Sequence, residues 1–550
     1  MSKFNTNVRP ATHSPVTSER SPSARTALGG AGFVRDTKSE LFLLAVSNMV
    51  GQGTFHEDGG QRDERYAELV RAAALADPLW TAQFLGWLRN EGNMRSASLV
   101  GAAEYVKARL GAAGSRPAGQ HETEAPDGTW EGDNLSYAVM SNRAVVDAVL
   151  QRADEPGELL AYWTSTYGRK IPKPVKRGVA DAARRLYSER SLAKWDSEAR
   201  GFRFGDVLEL THATPAHDWQ GDLFKHAIDR RHGRGDEIPA SLEMLHVRAE
   251  LMAWPVQKRR DLFRRPELDS AASVLRQAGM TWESVAGWLQ GPMTAEVWEA
   301  LIPSMGYMAL LRQLRNFDEA GVSDDVAEQV AARLADPEQV AASRQFPFRF
   351  LAAHKAVPSL RWGHALEKAL TASLRNVPAL PGRTLVVIDR SPSMFPGYGF
   401  STPSKSDITC ADQAAVFGCA VAMRAANATT VVYGGTSRTV DVPKGGSLLK
   451  LVDGLGGAIN YTDTAAAVRE HYAGHDRVLI VTDEQSATAD AAGSVPTDTP
   501  VYVWNLAGYQ HGNMPSGGRN RHTFGGLTDA AFRMVPLLES GRDGTWPWVA

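Results

Sequence analysis

Three polar segments in the last third of the chain carry hydroxyl and carboxylate side chains at spacings suited to holding a metal ion. Residues 389–393 read Asp-Arg-Ser-Pro-Ser, residues 456–463 include Thr462, and residues 482–484 read Thr-Asp-Glu. Oxygen ligands suit hard divalent cations, and these segments offer no thiolate or imidazole that would favour zinc. We therefore predict a site for a divalent cation, Mg²⁺ or Mn²⁺, with these ligands: Asp389, Ser391, Ser393, Thr462 and Asp483.

The elements that must position these side chains alternate between strand and helix from Pro381 onward. Apolar runs predict strands at residues 384–388, 429–433, 477–482 and 500–506, and helices are predicted over 411–426, 447–455, 462–472 and 528–538. This alternation predicts a doubly wound α/β domain over residues 381–550, with a parallel sheet covered by helices on both faces. Ligands of such sheets bind beyond the carboxyl ends of the strands, where the three polar segments fall.

Residues 32–377 carry one helical period after another and no convincing strand. In the helix predicted over residues 304–317, for example, the large apolar residues recur at helical spacing. We infer an all-α array of paired, HEAT-like helices from this periodicity alone, because no strict repeat is visible. The segment from Ala112 to Asn134 is a predicted surface insertion. Residues 1–31, rich in Ser, Thr, Pro, Arg and Gly, are predicted to be a disordered tail.

The helical region is unevenly charged, although the whole chain has a formal net charge of only −2. That balance excludes a uniformly basic binder and leaves room for a local basic face. Between Arg169 and Arg190 there are eight basic residues and two acidic ones. Such a stripe suits phosphate contacts, while a solvated helix face is the alternative reading of the same charges. The candidate phosphate contacts in this stretch are Lys170, Lys173, Lys176, Arg177 and Arg184.

Cysteine content and hydropathy limit the class of protein further. Two cysteines, Cys410 and Cys419, are too few for a secreted disulfide scaffold. No apolar run approaches the roughly 18–20 residues of a membrane span, and the first residues lack an apolar signal core. No phosphate-binding Gly-x-x-x-x-Gly-Lys-Ser/Thr loop follows a predicted strand. We therefore expect a protein without membrane association, located in the cytoplasm.

Segments in both regions resemble known families. The helical region resembles the TROVE module, named for telomerase-associated protein, Ro and vault proteins, and is most similar to Ro-type members from bacteria or phages. The matching segments are Lys176–Ala180 with Tyr187, Leu210–Pro215, Met308–Asn316 and Phe346–Arg349. The α/β region resembles a von Willebrand factor A domain, whose metal-ion-dependent adhesion site has the pattern Asp-x-Ser-x-Ser, then Thr, then Asp. Arg390 and Pro392 are departures within that motif.

The resemblance implies a ring of HEAT-like helices closed within one chain, hence a monomer, with the A domain joining its ends. Its outer face is expected to bind a small structured Y-like RNA, and its central hole the single-stranded ends of misfolded noncoding RNA. The family's outer-face lysine, arginine and histidine correspond to Lys194, Arg200 and His212. At the metal site, an open coordination position would accept a partner's carboxylate, so the site is expected to bind rather than to catalyse.

The leading interpretation is a noncatalytic RNA-binding protein, the core of a Ro-type ribonucleoprotein engaged in RNA quality control. Further expected partners are an exoribonuclease and an acidic protein ligand at the metal site. The alternative is a metal-dependent protein–protein adaptor on a helical scaffold. An enzyme is disfavoured because no nucleophile–base pair has a recognisable spacing. For His212, a role in capping the end of a helix is the alternative to RNA contact.

Overall fold

The computed structural model describes most of the chain. The described residues are 11–47, 51–114, 140–234, 237–264, 268–357, 359–395, 408–488, 490–526, 528 and 532–549. Most of the predicted insertion from Ala112 to Asn134 lies outside these residues, and so do the first ten residues of the predicted tail.

Helices follow one another through the first two thirds of the chain, as the hydrophobic periodicity predicts. The first are α1 (Thr37–Ser47), α2 (Gly59–Ala76), α3 (Pro78–Asn90), α4 (Arg95–Gly114), α5 (Asn142–Val149), α6 (Glu155–Tyr167), α7 (Lys173–Leu186), α8 (Glu189–Trp195), α9 (Phe204–Thr211) and α10 (Asp218–His232). Next come α11 (Glu243–Met252), α12 (Val256–Asp261), α13 (Leu268–Gln277), α14 (Trp282–Leu289), α15 (Ala295–Leu301), α16 (Tyr307–Ala320) and α17 (Asp324–Ala335). The last are α18 (Pro337–Ser343), α19 (Pro347–Ala356), α20 (Leu360–Ser373), α21 (Cys410–Arg424), α22 (Leu448–Gly454), α23 (Thr464–His471) and α24 (Met534–Glu539).

Strands lie at the two ends of the described chain. They are β1 (Ala24–Arg25), β2 (Ala31–Val34), β3 (Arg383–Asp389), β4 (Asn427–Tyr433), β5 (Ser437–Val440), β6 (Arg477–Thr482), β7 (Val501–Asn505), β8 (His511–Gly512) and β9 (Arg521–Gly525). The four strands predicted from apolar runs correspond to β3, β4, β6 and β7. Strands β1, β2, β5, β8 and β9 were not predicted, and the helix predicted over residues 528–538 is described only from Met534 to Glu539.

By packing, the chain divides into two compact units. The sheet unit comprises Met1–Leu69, Gly92–Met94 and Ala331–Ala550, and the helical unit comprises Val70–Glu91 and Arg95–Val330. Helices α18 to α20, assigned from sequence to the helical domain that ends at residue 377, thus belong by packing to the sheet unit.

The sheet unit is built around a six-stranded sheet in the order β5-β4-β3-β6-β7-β9. All neighbouring pairs are parallel except β4 and β5. On one face, apolar residues of the central strands pack with helix α23, including Val468. On the other face, Phe417 of α21 packs on Trp504 of β7 with ring centroids 5.0 Å apart. The predicted fold class, a helical array followed by a doubly wound α/β domain, is confirmed.

The prediction of a disordered tail over residues 1–31 is wrong for residues 11–31. Strand β2 pairs antiparallel with both β1 and β8, so this segment extends the α/β domain with a small sheet of its own. The Thr12 amide donates to Asn520 Oδ1 at 3.2 Å, and Ser516 Oγ donates to the Val16 carbonyl at 2.8 Å. A segment poor in apolar side chains is ordered here because its backbone groups find partners on the domain.

The helical unit contains the helices on which the candidate RNA-binding residues lie. Helix α7 begins after Pro172 and has a second proline, Pro174, in its first turn, where a missing amide hydrogen costs no helical bond. Its buried face includes Val175, Val179 and Ala182. Across the described residues, no helix combines the length and the hydropathy that crossing a bilayer requires.

Candidate functional site

The three polar segments predicted to form a metal site meet at the carboxyl ends of β3, β4 and β6. The Ile459 amide donates to the Arg390 carbonyl at 2.8 Å, and the Asp463 amide donates to the Gly434 carbonyl at 2.9 Å. These bonds place the segment 456–463 across the ends of β3 and β4. The Ala487 amide donates to the Thr462 carbonyl at 3.4 Å, which links the same segment to the loop after β6. The Thr462 side chain is buried there.

Asp389, the last residue of β3, is fully buried and anchors this arrangement. Its Oδ1 accepts the Ser391 amide at 2.8 Å, and its Oδ2 accepts the hydroxyls of Thr482 at 2.6 Å and Tyr433 at 3.1 Å. Burial raises the pKa of the Asp389 carboxyl above its ordinary value, although these hydrogen bonds favour the charged form. The carboxylate is therefore oriented by neighbours from β4, from β6 and from the loop after β3.

Asp483 follows β6 and is also buried. Burial and, after it, the negative charge of Asp389 raise its pKa to about 7, and the nearby Ser393 hydroxyl opposes the rise. Its Oδ1 accepts the Gln485 amide at 3.0 Å, whereas its Oδ2 is buried without a hydrogen bond to any described residue. The hydroxyl oxygens of Ser391 and Ser393 lie 3.2 Å apart. The Asp483 Oδ2 atom thus lacks a hydrogen-bond donor, although a pair of hydroxyl groups belongs to the same predicted site.

These residues fit a hard divalent cation. Two buried carboxylates that disfavour each other's charge, and an unsatisfied carboxylate oxygen, are both stabilised by a positive ion. Within the described ranges, no three His, Cys, Asp or Glu side chains gather as a metal cluster, so a site here depends on hydroxyl ligands. That donor chemistry matches Mg²⁺ or Mn²⁺ and not zinc.

The two departures from the motif have structural roles that leave the predicted ligands in place. Arg390 is buried and donates to the carbonyls of Ala411, at 3.1 Å, and Gly456. Its guanidinium therefore joins α21 to the segment 456–463. Pro392 occupies the first position of a short 3₁₀ turn over Pro392–Met394, where its fixed φ suits the turn.

Sequence reasoning missed the side chains that support the predicted ligands. Thr482 and Tyr433 end their strands and orient Asp389, and the signal was a hydroxyl at the last position of a predicted strand. Glu484, directly after Asp483, is fully buried and paired with Arg35 of the N-terminal segment. No local pattern indicated that pair, because its members are far apart in sequence.

The second candidate site is the basic surface, defined as Lys170, Lys173, Lys176, Arg177 and Arg184. All but the half-buried Lys176 are exposed. The opposite face of α7 packs closely on α5, since a Cβ atom at Gly178 would lie 2.6 Å from the Arg143 carbonyl oxygen. Tight packing on one side leaves the charged side chains on the other.

Nearby acids do not neutralise the basic surface. Asp181 pairs with Arg143 at 2.6 Å, and Asp147 pairs with Arg185 at 2.9 Å. In the part of the chain that the structure describes, no carboxylate lies within ion-pair distance of Lys170, Lys173, Lys176 or Arg184. This arrangement leaves a local excess of positive charge directed to solvent.

Lys194 and Arg200 both lie close to the indole of Trp195. The Lys194 ammonium is 4.7 Å and the Arg200 guanidinium 5.4 Å from the Trp195 ring. Lys194 is exposed. Arg200 pairs with Glu158 at 3.1 Å and Asp154 at 3.3 Å, so its charge is already compensated within the unit. Of the two, Lys194 retains the charge that could meet a phosphate.

His212 combines both roles considered for it. Its backbone is left-handed, with φ at 53°, and its amide donates to the Leu208 carbonyl at 2.9 Å, so the residue ends α9. Its side chain is exposed. The capping role therefore belongs to the backbone, and the imidazole is available for contact with a ligand.

Together, the fold and the two sites define a class of protein. It combines a helical array, in which one helix has an exposed basic face, with a doubly wound α/β domain, in which loops after the strands form a candidate cation site.

Comparison with known families adds to this description. The model of the TROVE domain matches residues 275–362. The chain is 38% identical over 131 residues to the telomerase protein component 1 of Mus musculus, which covers 23% of this chain and 4% of that protein. For the Rattus norvegicus protein of the same name, the identity is 39% over 124 residues, 21% of this chain and 5% of that protein.

The chain thus spans only a small part of the length of these telomerase relatives. By contrast, the fold of this chain is similar to a crystal structure of the Deinococcus radiodurans Ro (RSR) protein over most of its length. The TM-score is 0.56 and the sequence identity 17%, with 86% of this chain and 93% of that one covered. The predicted resemblance to Ro-type TROVE proteins is therefore confirmed.

Proposed function

We propose that this protein is a noncatalytic RNA-binding protein that forms the core of a Ro-type ribonucleoprotein. The observation that carries the proposal is the basic surface on α7, whose lysines and Arg184 have no carboxylate partner among the described residues. Phosphate contacts made by such side chains dominate affinity for RNA and do not depend on its sequence. The TROVE match and the fold of a Ro protein support the same assignment.

The finer assignment follows the resemblance stated from the sequence. In it, the basic surface with Lys194 and His212 binds a small structured Y-like RNA, and single-stranded ends of misfolded noncoding RNA enter the central hole that the resemblance implies. Arg200 is assigned a supporting role, since its guanidinium is paired with Glu158 and Asp154. We propose a cytoplasmic location and an exoribonuclease as a further partner on the same basis.

The metal site is proposed to bind an acidic protein ligand. Ser391, Ser393 and Thr462 would offer hydroxyl oxygens to Mg²⁺ or Mn²⁺, with Asp389 and Asp483 acting directly or through water. A bound cation would supply an open coordination position for a partner's carboxylate. Support comes from the unsatisfied Asp483 Oδ2 and from the mutual effect of the two buried carboxylates.

The test is a filter-binding measurement with a structured small RNA at several salt concentrations. The variant Lys173→Glu/Lys176→Glu should lose most of its affinity, and the wild-type affinity should fall steeply with salt. The control is Arg312→Glu/Arg315→Glu, which makes the same charge change on exposed residues of α16 and should bind nearly as the wild type does. Equal losses in the two variants would show a general charge effect instead of a site.

The adaptor hypothesis predicts a different outcome. Protein purified from cells would then carry no RNA by its absorbance ratio, and would capture a protein partner only in the presence of Mg²⁺ or Mn²⁺. Intact RNA affinity in the α7 variant, combined with metal-dependent protein capture, would replace the RNA-binding proposal by the adaptor.

A further inference from the structure

The loop between α9 and α10 exposes a pair of aromatic rings. His217 immediately precedes α10, and Trp219 lies in its first turn. The two rings are stacked, with centroids 5.9 Å apart and planes inclined by 18°. Trp219 is 39% exposed, although an indole is among the side chains that gain most from burial. A flat aromatic surface is thus presented to solvent.

Gln220 attaches this loop to the end of the basic helix. Its side chain is buried, and its Nε2 donates to the carbonyls of Arg184, at 2.8 Å, and Tyr187, at 3.1 Å. Its Oε1 accepts the Ala216 amide at 2.7 Å. Because one side chain bonds both the loop and the last turn of α7, the loop that carries the aromatic pair is attached to the end of that helix.

Two arginines occur in the sequence at or near the residues to which Gln220 is bonded. Arg184 is exposed, and Arg190 follows Tyr187 by three residues and is exposed as well. Within the described residues neither has a carboxylate partner. An exposed flat ring and unpaired guanidinium groups on elements attached to each other are the combination by which proteins bind single-stranded nucleic acid, since a base stacks on the ring and its phosphate meets the cation.

We infer that His217 and Trp219 form a stacking platform for unpaired bases of RNA, adjacent to the phosphate contacts of the basic surface. This inference rests on the proposed RNA-binding function and adds a site to it. Structured RNA would be bound through its backbone by α7, while a base in a loop or bulge stacks on Trp219. The platform selects RNA that contains unpaired bases over a continuous duplex.

The experiment compares wild type, Trp219→Ala and Trp219→Phe in binding a short oligouridylate and a blunt RNA duplex of the same length. Trp219→Ala should weaken oligouridylate binding about tenfold and leave duplex binding and its salt dependence unchanged, since stacking requires no counterion release. Trp219→Phe keeps a flat ring and should retain most of the affinity. Thermal unfolding of each variant verifies that the half-exposed site tolerates the change.

Three results would be adverse. Unchanged oligouridylate binding in Trp219→Ala, or an equal loss for both RNAs, would overturn the stacking platform while leaving the proposed function standing. Failure of the wild-type protein to bind either RNA would instead overturn the proposed function, and the platform with it. A selective loss that phenylalanine restores is the result that we expect.

Discussion

Arg35 and Glu484 form an ion pair whose side chains are 1% and 0% exposed. Arg35 also donates to the Tyr509 carbonyl at 3.0 Å, and Asn505 donates a further hydrogen bond to Glu484. Glu484 adjoins Asp483 and has a left-handed backbone, with φ at 60°. The pair therefore connects the N-terminal segment directly to the loop that carries a predicted metal ligand.

We expect Arg35→Ala to lower the free energy of unfolding of the sheet unit by about 3–5 kcal/mol, because it leaves a buried carboxylate without its partner. Urea unfolding measures this loss. Arg25→Ala, at an exposed position of β1, is the matched control and should change stability by less than about 0.5 kcal/mol. Adding Glu484→Gln to Arg35→Ala should recover part of the loss. No recovery in the double variant would contradict the role of charge.

Removing one carboxylate should abolish cation binding. Mg²⁺ or Mn²⁺ at a hundred times its dissociation constant should stabilise the wild-type protein by about 2.7 kcal/mol, and Asp483→Asn should show no such gain. Thermal unfolding with and without the metal gives both values. Asp463→Asn is the control in the neighbouring loop, since asparagine also caps the α23 terminus that Asp463 now caps. An equal gain in Asp483→Asn would place the cation elsewhere.

The raised pKa of Asp483 makes the stability of the folded protein depend on pH. Folding moves this pKa from 3.8 to about 7, so between these values the folded protein binds a proton that the unfolded chain releases. Stability contributed by this group therefore falls as pH rises through that window. In metal-free buffer, Asp483→Asn should gain stability over the wild type by on the order of a few kcal/mol from pH 4 to pH 7. Thermal unfolding as a function of pH would contradict this if the difference stayed constant.

His212→Ser should weaken binding of a structured RNA without a large loss of thermal stability. The imidazole is exposed, and the cap depends on the backbone. His212→Asn is the informative companion, because asparagine tolerates the left-handed conformation and lacks the imidazole. Both variants should lose RNA affinity by a similar factor in a filter assay. Should either unfold many degrees earlier than the wild type, His212 would be a structural cap.

Gly178→Ala should destabilise the helical unit by about 1–3 kcal/mol, because the added methyl overlaps the Arg143 carbonyl and the Val146 side chain. Gly86→Ala is the opposite case: this glycine of α3 has nothing within 4 Å, so alanine should stabilise by up to about 1 kcal/mol. Urea unfolding of the two variants should move in opposite directions. A neutral Gly178→Ala would mean that α5 and α7 separate at little cost.

The sequence predicts the central strands well because each is buried on both faces and therefore uniformly apolar. Strand β9 is not uniformly apolar. Its first residues, Arg521 and His522, are buried polar side chains, and Arg521 donates to the carbonyls of Thr499 at 2.8 Å and Val495 at 3.0 Å. The buried Arg521 is accommodated because carbonyls of the loop before β7 accept its hydrogen bonds. Hydrophobic periodicity contains no information about such a contact.

The candidate sites also differ in how well the sequence predicts them. Four of the predicted metal ligands, Asp389, Ser391, Ser393 and Asp483, end or follow parallel strands, so topology brings them together, and the motif pattern adds Thr462 from the loop before α23. The stacked pair of His217 and Trp219 depends on Gln220 reaching the end of α7, and the order of the N-terminal segment depends on bonds such as that from Thr26 to the Ser486 carbonyl. Contacts between residues that are remote in the chain were beyond prediction from local composition.

The pairing of Thr12 with Asn520, 508 positions apart, has a consequence for biosynthesis. A ribosome releases β1 and β2 long before it synthesises β8, so β2 must wait for this partner while the intervening helices already pack. The small sheet of β1, β2 and β8 can therefore form only after all the intervening helices have been synthesised. Newly made molecules that stall earlier expose unpaired strand edges, which makes them substrates for chaperones.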